Sequence, residues 1–401
     1  MKVAVKPLGE LCKLTMGRTP PRGNSKYWDA SRITENIWIS IADMTKSSDG
    51  ILTDSKEYLS DEGSKTFPKV KKGTLLLSFK LSIGKLAIAG TDLQTNEAIV
   101  AINDLNEDLI LRDYLYYYLF GFDWSEALTG RFKVKGNTLN KKILEALPIK
   151  FPSLDKQHEI VEKLDEAFAE IKLAQLETVR LLDQSAKLLG ARFDETFTCI
   201  TERHGMVESG SIIDVRDGTH DSPKYLDSGF PLITSKNLRD GLIDFSNVSL
   251  IGASDFEVIN RRSKVDAGDL LFAMIGTIGN PVVVKVQPNF AIKNVALFKG
   301  NSAYDMTFLS YFLRSPKIKE KFEKEAKGTT QRFLGLGYLR TLKIPNLPIK
   351  GQIKVASELS QFEGETKRLE LNLNRRLVLL QKLSNSILSS SFLPRNNREV
   401  A

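Results

Sequence analysis

Two stretches of this chain are copies of one plan. VKKGTLLLSFKLSIG at residues 70–84 returns as VDAGDLLFAMIGTIG at 265–279, setting Val70 against Val265, Gly73 against Gly268, Ile83 against Ile278 and Gly84 against Gly279, 195 positions apart. LYYYL at 115–119 returns as LSYFL at 309–313, one position out of step. LPIKFPSLDKQHEIV at 147–161 returns as LKIPNLPIKGQIKVA at 342–356, so that Gln157 falls on Gln352, Leu164 on Leu359, Lys187 on Lys382 and Phe197 on Phe392. Matches in one order at nearly one offset mean duplication. The period is about half of 401 residues, which gives two large units and excludes a solenoid of small repeats.

Each unit divides in two. The first part mixes short β-like runs (38–41, 74–79, 232–233, 282–286) with one helical stretch per copy, near 111–120 and 306–314. It reads as a domain of mixed α and β content. The second part reads as one long helix. From 154 to 197 there is no proline, and Gly190 is the lone glycine. Ile160, Leu164, Ala167, Ile171, Ala174, Leu181, Ser185 and Leu188 follow a three-four spacing, as do Leu359, Phe362, Thr366, Leu369, Leu373, Leu380, Leu383 and Ile387. The residues taken to pair the helices are Leu164, Ile171, Leu181 and Leu188 on the first, and Leu359, Leu369, Leu373 and Leu380 on the second. Each helix would run about 60 Å at 1.5 Å per residue. A domain threaded between them makes them antiparallel. Their charges favour this: six basic residues against ten acidic in 153–198, and seven against four in 350–392. The expected fold is therefore α+β. Two pseudo-symmetric mixed α/β domains, 1–152 and 199–349, are separated by two long helices, 153–198 and 350–393, packed as an antiparallel coiled coil, with a tail at 394–401.

Composition narrows the chemistry mostly by exclusion. Cys12 and Cys199 are too few and too far apart for a disulfide framework or a zinc site, which points to a reducing cytoplasm. The first residues lack a signal-peptide core, and apolar runs such as 270–274 are too short to cross a bilayer. No phosphate-binding Gly-x-x-x-x-Gly-Lys-Ser/Thr loop, metal-ligand His pair or Gly-x-Ser-x-Gly elbow occurs. His158, His204 and His220 are scattered. Thr19-Pro20-Pro21-Arg22 and Asn280-Pro281-Val282 each carry only part of the motif with which amino-methylating enzymes hold a flipped base. Gly84 and Gly279 are read as turn residues with unusual backbone angles. No catalytic residue, metal ligand or cofactor site is assigned.

The net charge of +8 and pI near 9.1 hint at an acidic partner. The hint sharpens in loops that recur in both copies. Phosphate contacts supply affinity, while Arg, Lys, Asn and Gln discriminate bases. The first loop offers Arg18, Thr19, Arg22 and Asn24, against Thr219, His220 and Lys224, and Lys236 is added as a further candidate in the second copy. The second offers Lys80 and Lys85 against Thr277. The third offers Arg131, Lys133, Lys135 and Asn137 against Lys327, Thr330, Gln331 and Arg332. Taken singly, each cation reads as a solvated side chain; the equivalent placement in both copies points to DNA.

The plan also resembles a known family. GELCKLTMGRTPPRGNSKYW, then IWISIADM, then KKGTLLLSF, with LPIKFPSLDKQHEIVEKLDEAF and LPIKGQIKVASELSQF closing the two globular parts, looks like the specificity subunit of type I restriction–modification systems over essentially the whole chain. The resemblance implies two target-recognition domains, each reading half of a split site in double-stranded DNA. It implies helices that hold the domains apart and dock two modification subunits. Those subunits would bind S-adenosylmethionine and methylate adenine, restriction subunits could join, and this chain would hold no cofactor. Two alternatives compete with it. A self-contained methyltransferase or nuclease lacks its motifs here, and a solitary coiled-coil adaptor leaves the loop cations without a use.

Overall fold

Leu75, Leu76 and Leu77 form an apolar run that suits a strand covered on both faces, and all three are buried. The computed structural model describes residues 3–47, 50–80, 82–124, 139–285, 287–328 and 331–392. The chain forms two units, one of residues 1–176 with 377–401 and the other of 177–376. The elements that position the candidate site are strands β1 (Ala4–Pro7), β2 (Lys13–Met16), β3 (Ile51–Leu52), β4 (Leu75–Ser78), β5 (Leu86–Ala89), β6 (Ile99–Asn103), β7 (Pro148–Phe151), β8 (Met206–Glu208), β9 (Val215–Asp217), β10 (Leu270–Ala273), β11 (Gly279–Val283), β12 (Val295–Phe298) and β13 (Lys343–Pro345). The helices are α1 (Arg112–Phe120), α2 (Leu154–His204), α3 (Met306–Arg314) and α4 (Ile349–Phe392).

In the first unit the central sheet runs β2-β6-β4-β5-β3. Leu75 opposes Ile102 and Leu76 opposes Ala101 across antiparallel β4 and β6. Alternation then separates the faces. Leu75 and Leu77 join Tyr114, Leu115 and Leu119 of α1, while Leu76 faces Ile37, Ile39 and Met44. The second unit repeats this with β9-β12-β10-β11. Leu270 and Phe272 join Phe308 and Phe312 of α3, and Leu271 and Ala273 face Ile233 and Leu238. Gly84 and Gly279 have φ of +88° and +113°, the turn geometry expected of them.

Each domain is closed by a ribbon that leads into a long helix. β1 pairs antiparallel with β7, placing Lys6 opposite Ile149, and β8 pairs with β13, placing Val207 opposite Ile344. Phe197 of α2 packs edge-on against Phe308 and Phe312, with centroids 5.3 and 5.4 Å away. Phe392 of α4 does the same against Tyr114 and Tyr118, at 5.4 and 5.6 Å. Each such ring contributes about 1.5–3 kcal/mol by burial. Gly190 lies where a Cβ would come within 2.9 Å of Pro316, so the weak spot in the sequence is a close approach.

The two long helices pack together. In the second unit Ser185 Oγ lies 3.4 Å from Glu370, and the charge of Arg376 acts on Glu177, so one helix descends as the other rises. Buried positions on α2 keep a strict heptad: Gln157, Leu164, Ile171, Thr178 and Ser185. Those on α4 alternate by four and three through Gln352, Ala356, Leu359, Glu363, Thr366 and on to Leu373 and Ser384. Leu181 and Leu380 are half-buried. Two expected seam residues stand outside it: Leu188 is 61% exposed and Leu369 is 49% exposed. At Leu369 the four-residue step from Thr366 gives the inward place to Glu370, one position on. Beyond Ser185 the inward positions are Leu189, Phe193 and Phe197, which serve the domain core. A strict seven-residue repeat slips against 3.6 residues per turn, and that slip turns Leu188 outward. α2 also continues six residues past 198, because nothing breaks it before Gly205, whose φ is +71°.

Candidate nucleic-acid interface

In the first unit Glu97 gathers the candidates of two loops. Thr19 Oγ1 donates to its carboxylate, and Lys80 and Arg22 act on it by charge; with the Thr19 bond foremost, they hold the carboxyl below its ordinary value. Arg18 is fixed through its backbone, its N–H donating to Thr95 O at 2.8 Å and its O accepting from Trp38 Nε1 at 3.1 Å. The Arg22 guanidinium pairs with both oxygens of Glu57. It also lies 4.4 Å over the Trp28 ring and 4.9 Å over Trp38. Such stacking suits a planar guanidinium, and it ties Arg22 to the loop's own side chains while its side chain stays 55% exposed. Lys80 Nζ sits 5.3 Å from the Phe79 ring centre. Lys85 is apart from this group, donating to Thr45. Arg131, Lys133, Lys135 and Asn137 lie outside the described residues, as does Thr330.

The second unit builds the same corner with other side chains. Thr219 N donates to Ile292 O at 3.0 Å, as Arg18 N does to Thr95 O. Lys293 N donates to Ile233 O as Asn96 N does to Ile39 O. His220 thus takes the place of Thr19, and Asn294 that of Glu97. The His220 ring lies between two oxygens, 2.8 Å from Asn294 Oδ1 and 2.8 Å from Asp217 Oδ2. Both ring nitrogens face an oxygen, so a protonated ring can donate to both. Hydrogen bonds to Asn294 and then to Asp217 push the imidazole above its usual pKa. Asp217 is buried and also pairs with Arg262. Lys236 is exposed in the neighbouring turn, where Ser235 Oγ reaches Asn294 O at 3.3 Å.

Thr277 sits in the β10–β11 turn, which is joined to the third loop. Gly276 N donates to Arg332 O at 3.0 Å, and Ile275 bridges Phe333. Lys327 pairs with Phe333 across the neck of that loop, where Gly328 has φ of +95°. The Arg332 guanidinium turns back to the carbonyls of Glu323 and Ala326, capping the helix Pro316–Glu325. Gln331 is left exposed at the tip.

The residues that organise these corners, Glu57, Glu97, Asp217, Arg262 and Asn294, were not among the sequence candidates. A search for cations and amides passes over the acids Glu57, Glu97 and Asp217, while Arg262 and Asn294 lie outside the three recurring loops to which the search was confined. Glu97 and Asn294 stand just ahead of the matched strands β6 and β12, and that position was the available signal. Among the described residues no cluster of His, Cys, Asp and Glu could hold a metal ion, and no helix is long and apolar enough to cross a membrane.

The sequence model of the type I restriction modification DNA specificity domain matches residues 1–181 and 206–377. The EcoBI specificity subunit of Escherichia coli is 24% identical over 332 residues, covering 72% of this chain and 66% of that protein. The EcoKI specificity subunit of Escherichia coli K12 is 21% identical, covering 64% and 59%. The matches therefore span less than two thirds of either relative. The MjaIX specificity subunit of Methanocaldococcus jannaschii is 22% identical, covering 96% and 91%. Among solved structures, a chain from work on complex assembly and conformational transition of the type I R-M system superposes with a TM-score of 0.72 at 16% identity, covering 97% of both chains. The HsdS subunit of Thermoanaerobacter tengcongensis gives 0.58 at 15%, covering 97% and 96%. At such identities the likeness is one of fold.

Proposed function

Because this chain belongs to the type I restriction modification DNA specificity family, we propose that it reads a two-part target in double-stranded DNA and carries two modification subunits to it. One observation supports this most directly. Two domains share the order of four central strands, yet equivalent corners hold Thr19 with Glu97 in one and His220 with Asn294 in the other. Equal scaffolds with unequal side chains suit two different short sequences. In this reading the domains are 1–152 and 199–349, with 153–198 and 350–393 as spacers. The DNA-facing residues are those of the three loops in each, with Lys236, Lys327 and Gln331 exposed and Lys80 half-buried. S-adenosylmethionine and the methyl-transfer chemistry belong to the modification subunits, cleavage to restriction subunits where these join, and this chain supplies no reacting group. It works in the cytoplasm, in keeping with its two free cysteines.

The test is a domain exchange. Residues 1–152 are replaced by the matching domain of a related subunit, the hybrid is co-expressed with the modification subunit, and methylated sites are mapped across the genome. One half-site should change and the other persist. A single continuous motif, or a change in both halves, would overturn the reading.

A further inference from the structure

Two buried glutamines on the long helices bond to their own domains. Gln157 and Gln352 are buried at the first turns of α2 and α4, 195 residues apart. Gln157 Oε1 accepts from Leu111 N at 2.8 Å, and its Nε2 donates to Leu109 O at 2.8 Å and to Pro152 O at 2.9 Å. Gln352 Oε1 accepts from Asp305 N at 2.8 Å, and its Nε2 donates to Leu347 O at 2.6 Å. Leu111 and Asp305 are the N-cap residues of α1 and α3, the helices that lie under the two sheets. Each amide therefore fastens a spacer helix to the first turn of the helix that carries its recognition domain.

A second tie lies further along each spacer. Tyr117 of α1 donates to Asp165 of α2 at 2.5 Å, and Tyr311 of α3 donates to Glu363 of α4 at 3.0 Å. These carboxylates stand eight and eleven residues beyond the glutamines, about 12 and 16 Å along a helix. Two separated ties fix an angle, where one would leave a pivot.

We propose that Gln157 and Gln352 are positioning residues that set the angle of each recognition domain on its own spacer helix and so restrict the subunit to one gap between half-sites. This rests on the two-part reading above. The chemistry explains the residue type. An amide supplies an acceptor and a donor on one rigid plane. A glutamate would set a carboxylate against the carbonyl oxygens of Leu109 and Pro152, and a methionine would keep the shape while leaving the N-cap N–H without its partner.

The experiment uses the full chain, co-expressed with its modification subunit, as Gln157→Met, Gln352→Met and the double variant. The control is Leu144→Ala, which opens the core of the first domain without touching either tie. Genome-wide methylation is read for half-site sequence and gap length separately, beside thermal melting of the purified chains. Each glutamine variant should keep both half-sites and lose about tenfold in preference for the correct gap over gaps one base pair longer or shorter, the ratio that one net buried hydrogen bond carries. Leu144→Ala should lose methylation at all sites with its gap preference intact. A single gap as strict as the parent's in variants that still methylate would overturn the inference and leave the two-part reading standing. A parent that methylates a continuous motif would overturn both. Should Gln157→Met fail to accumulate, Gln352→Met, which forfeits two hydrogen bonds and not three, carries the same comparison.

Discussion

The Tyr311 hydroxyl donates to the Glu363 carboxylate across 3.0 Å, and the same carboxylate takes both terminal nitrogens of Arg314 and, at 3.0 Å, Lys367. In the matched register of the first unit the corresponding residue is Phe168, on which Tyr117 stacks with centroids 5.6 Å apart. One seam position thus joins domain helix to spacer by rings in one copy and by charge in the other.

That difference makes the second unit acid-sensitive. Burial pushes the Glu363 carboxyl up, but hydrogen bonds from Arg314 and Lys367 and their charges outweigh it and hold it at about 2, against 4.5 ordinarily. Since the folded pKa is depressed, the stabilisation is complete above about pH 4.5 and drains away as pH falls toward 2. It amounts to something on the order of 3 kcal/mol. Glu363→Gln should lower stability near neutral pH and flatten its dependence between pH 5 and 2, as read by denaturant melts at each pH. Equal slopes for variant and parent would refute the assignment.

The helix seam shows what a sequence pattern discloses and what it conceals. Leu164, Ile171 and Leu373 are legible as buried positions because leucine and isoleucine recur at heptad spacing, whereas buried Leu359 belongs to the core of the second domain. Glu363, Glu370 and Ser384 are not legible, because hydropathy assigns polar residues to the outside, whereas here hydrogen bonds to a domain helix or to the facing spacer admit some of them. Hydropathy therefore points to Leu369, whereas the inward position is Glu370, whose carboxylate meets Ser185. The contrast is measurable. Leu373→Asp should bury a charge without a partner and cost several kcal/mol, roughly 3–5, while Leu369→Asp should stay within about 0.5 kcal/mol of the parent. Thermal or urea melts of the two variants decide it, and equal losses would place Leu369 in the seam.

His220 offers a test by titration. Its ring faces Asn294 from the strand-end turn and Asp217 from β9, with Arg262 beyond Asp217 opposing the proton. Its folded pKa is raised above 6.5, so the imidazolium contacts are fully present below that value and are lost as pH rises through the folded pKa. The side chain is 58% exposed, so the effect is local. In NMR spectra the His220 ring should titrate above the ordinary imidazole value of 6.5, and Asn294→Ala should bring it down. A midpoint unchanged by that substitution would remove Asn294 as the cause.

The loops were legible only as places. Repeats and cations pointed to the corners around residues 18–22 and 219–220, since a turn that recurs at one offset declares itself. Which side chains remain free was hidden, because Arg22 and Arg332 find partners in Glu57 and in helix carbonyls that lie far off in sequence or carry no side-chain signal.

The proposed DNA surface can be tested by salt. Each phosphate contact adds about 0.9 to the slope of log affinity against log salt, so a cation already satisfied inside the protein adds little. Arg22 is paired with Glu57 and stacked on two indoles, and Arg22→Ala should therefore loosen the loop, lowering affinity and melting temperature with the slope nearly kept. Among the described residues Lys80 meets the Phe79 ring and the field of Glu97, and Lys80→Ala should reduce the slope by about 1. Replacing Arg131, Lys133 and Lys135 together should reduce it by as much as about 3 if all three reach phosphates. Binding to a cognate duplex across a salt series separates these outcomes. A large slope change for Arg22→Ala with none for Lys80→Ala would invert the arrangement, since the stacked guanidinium would then have to leave its indoles to meet the backbone of the DNA.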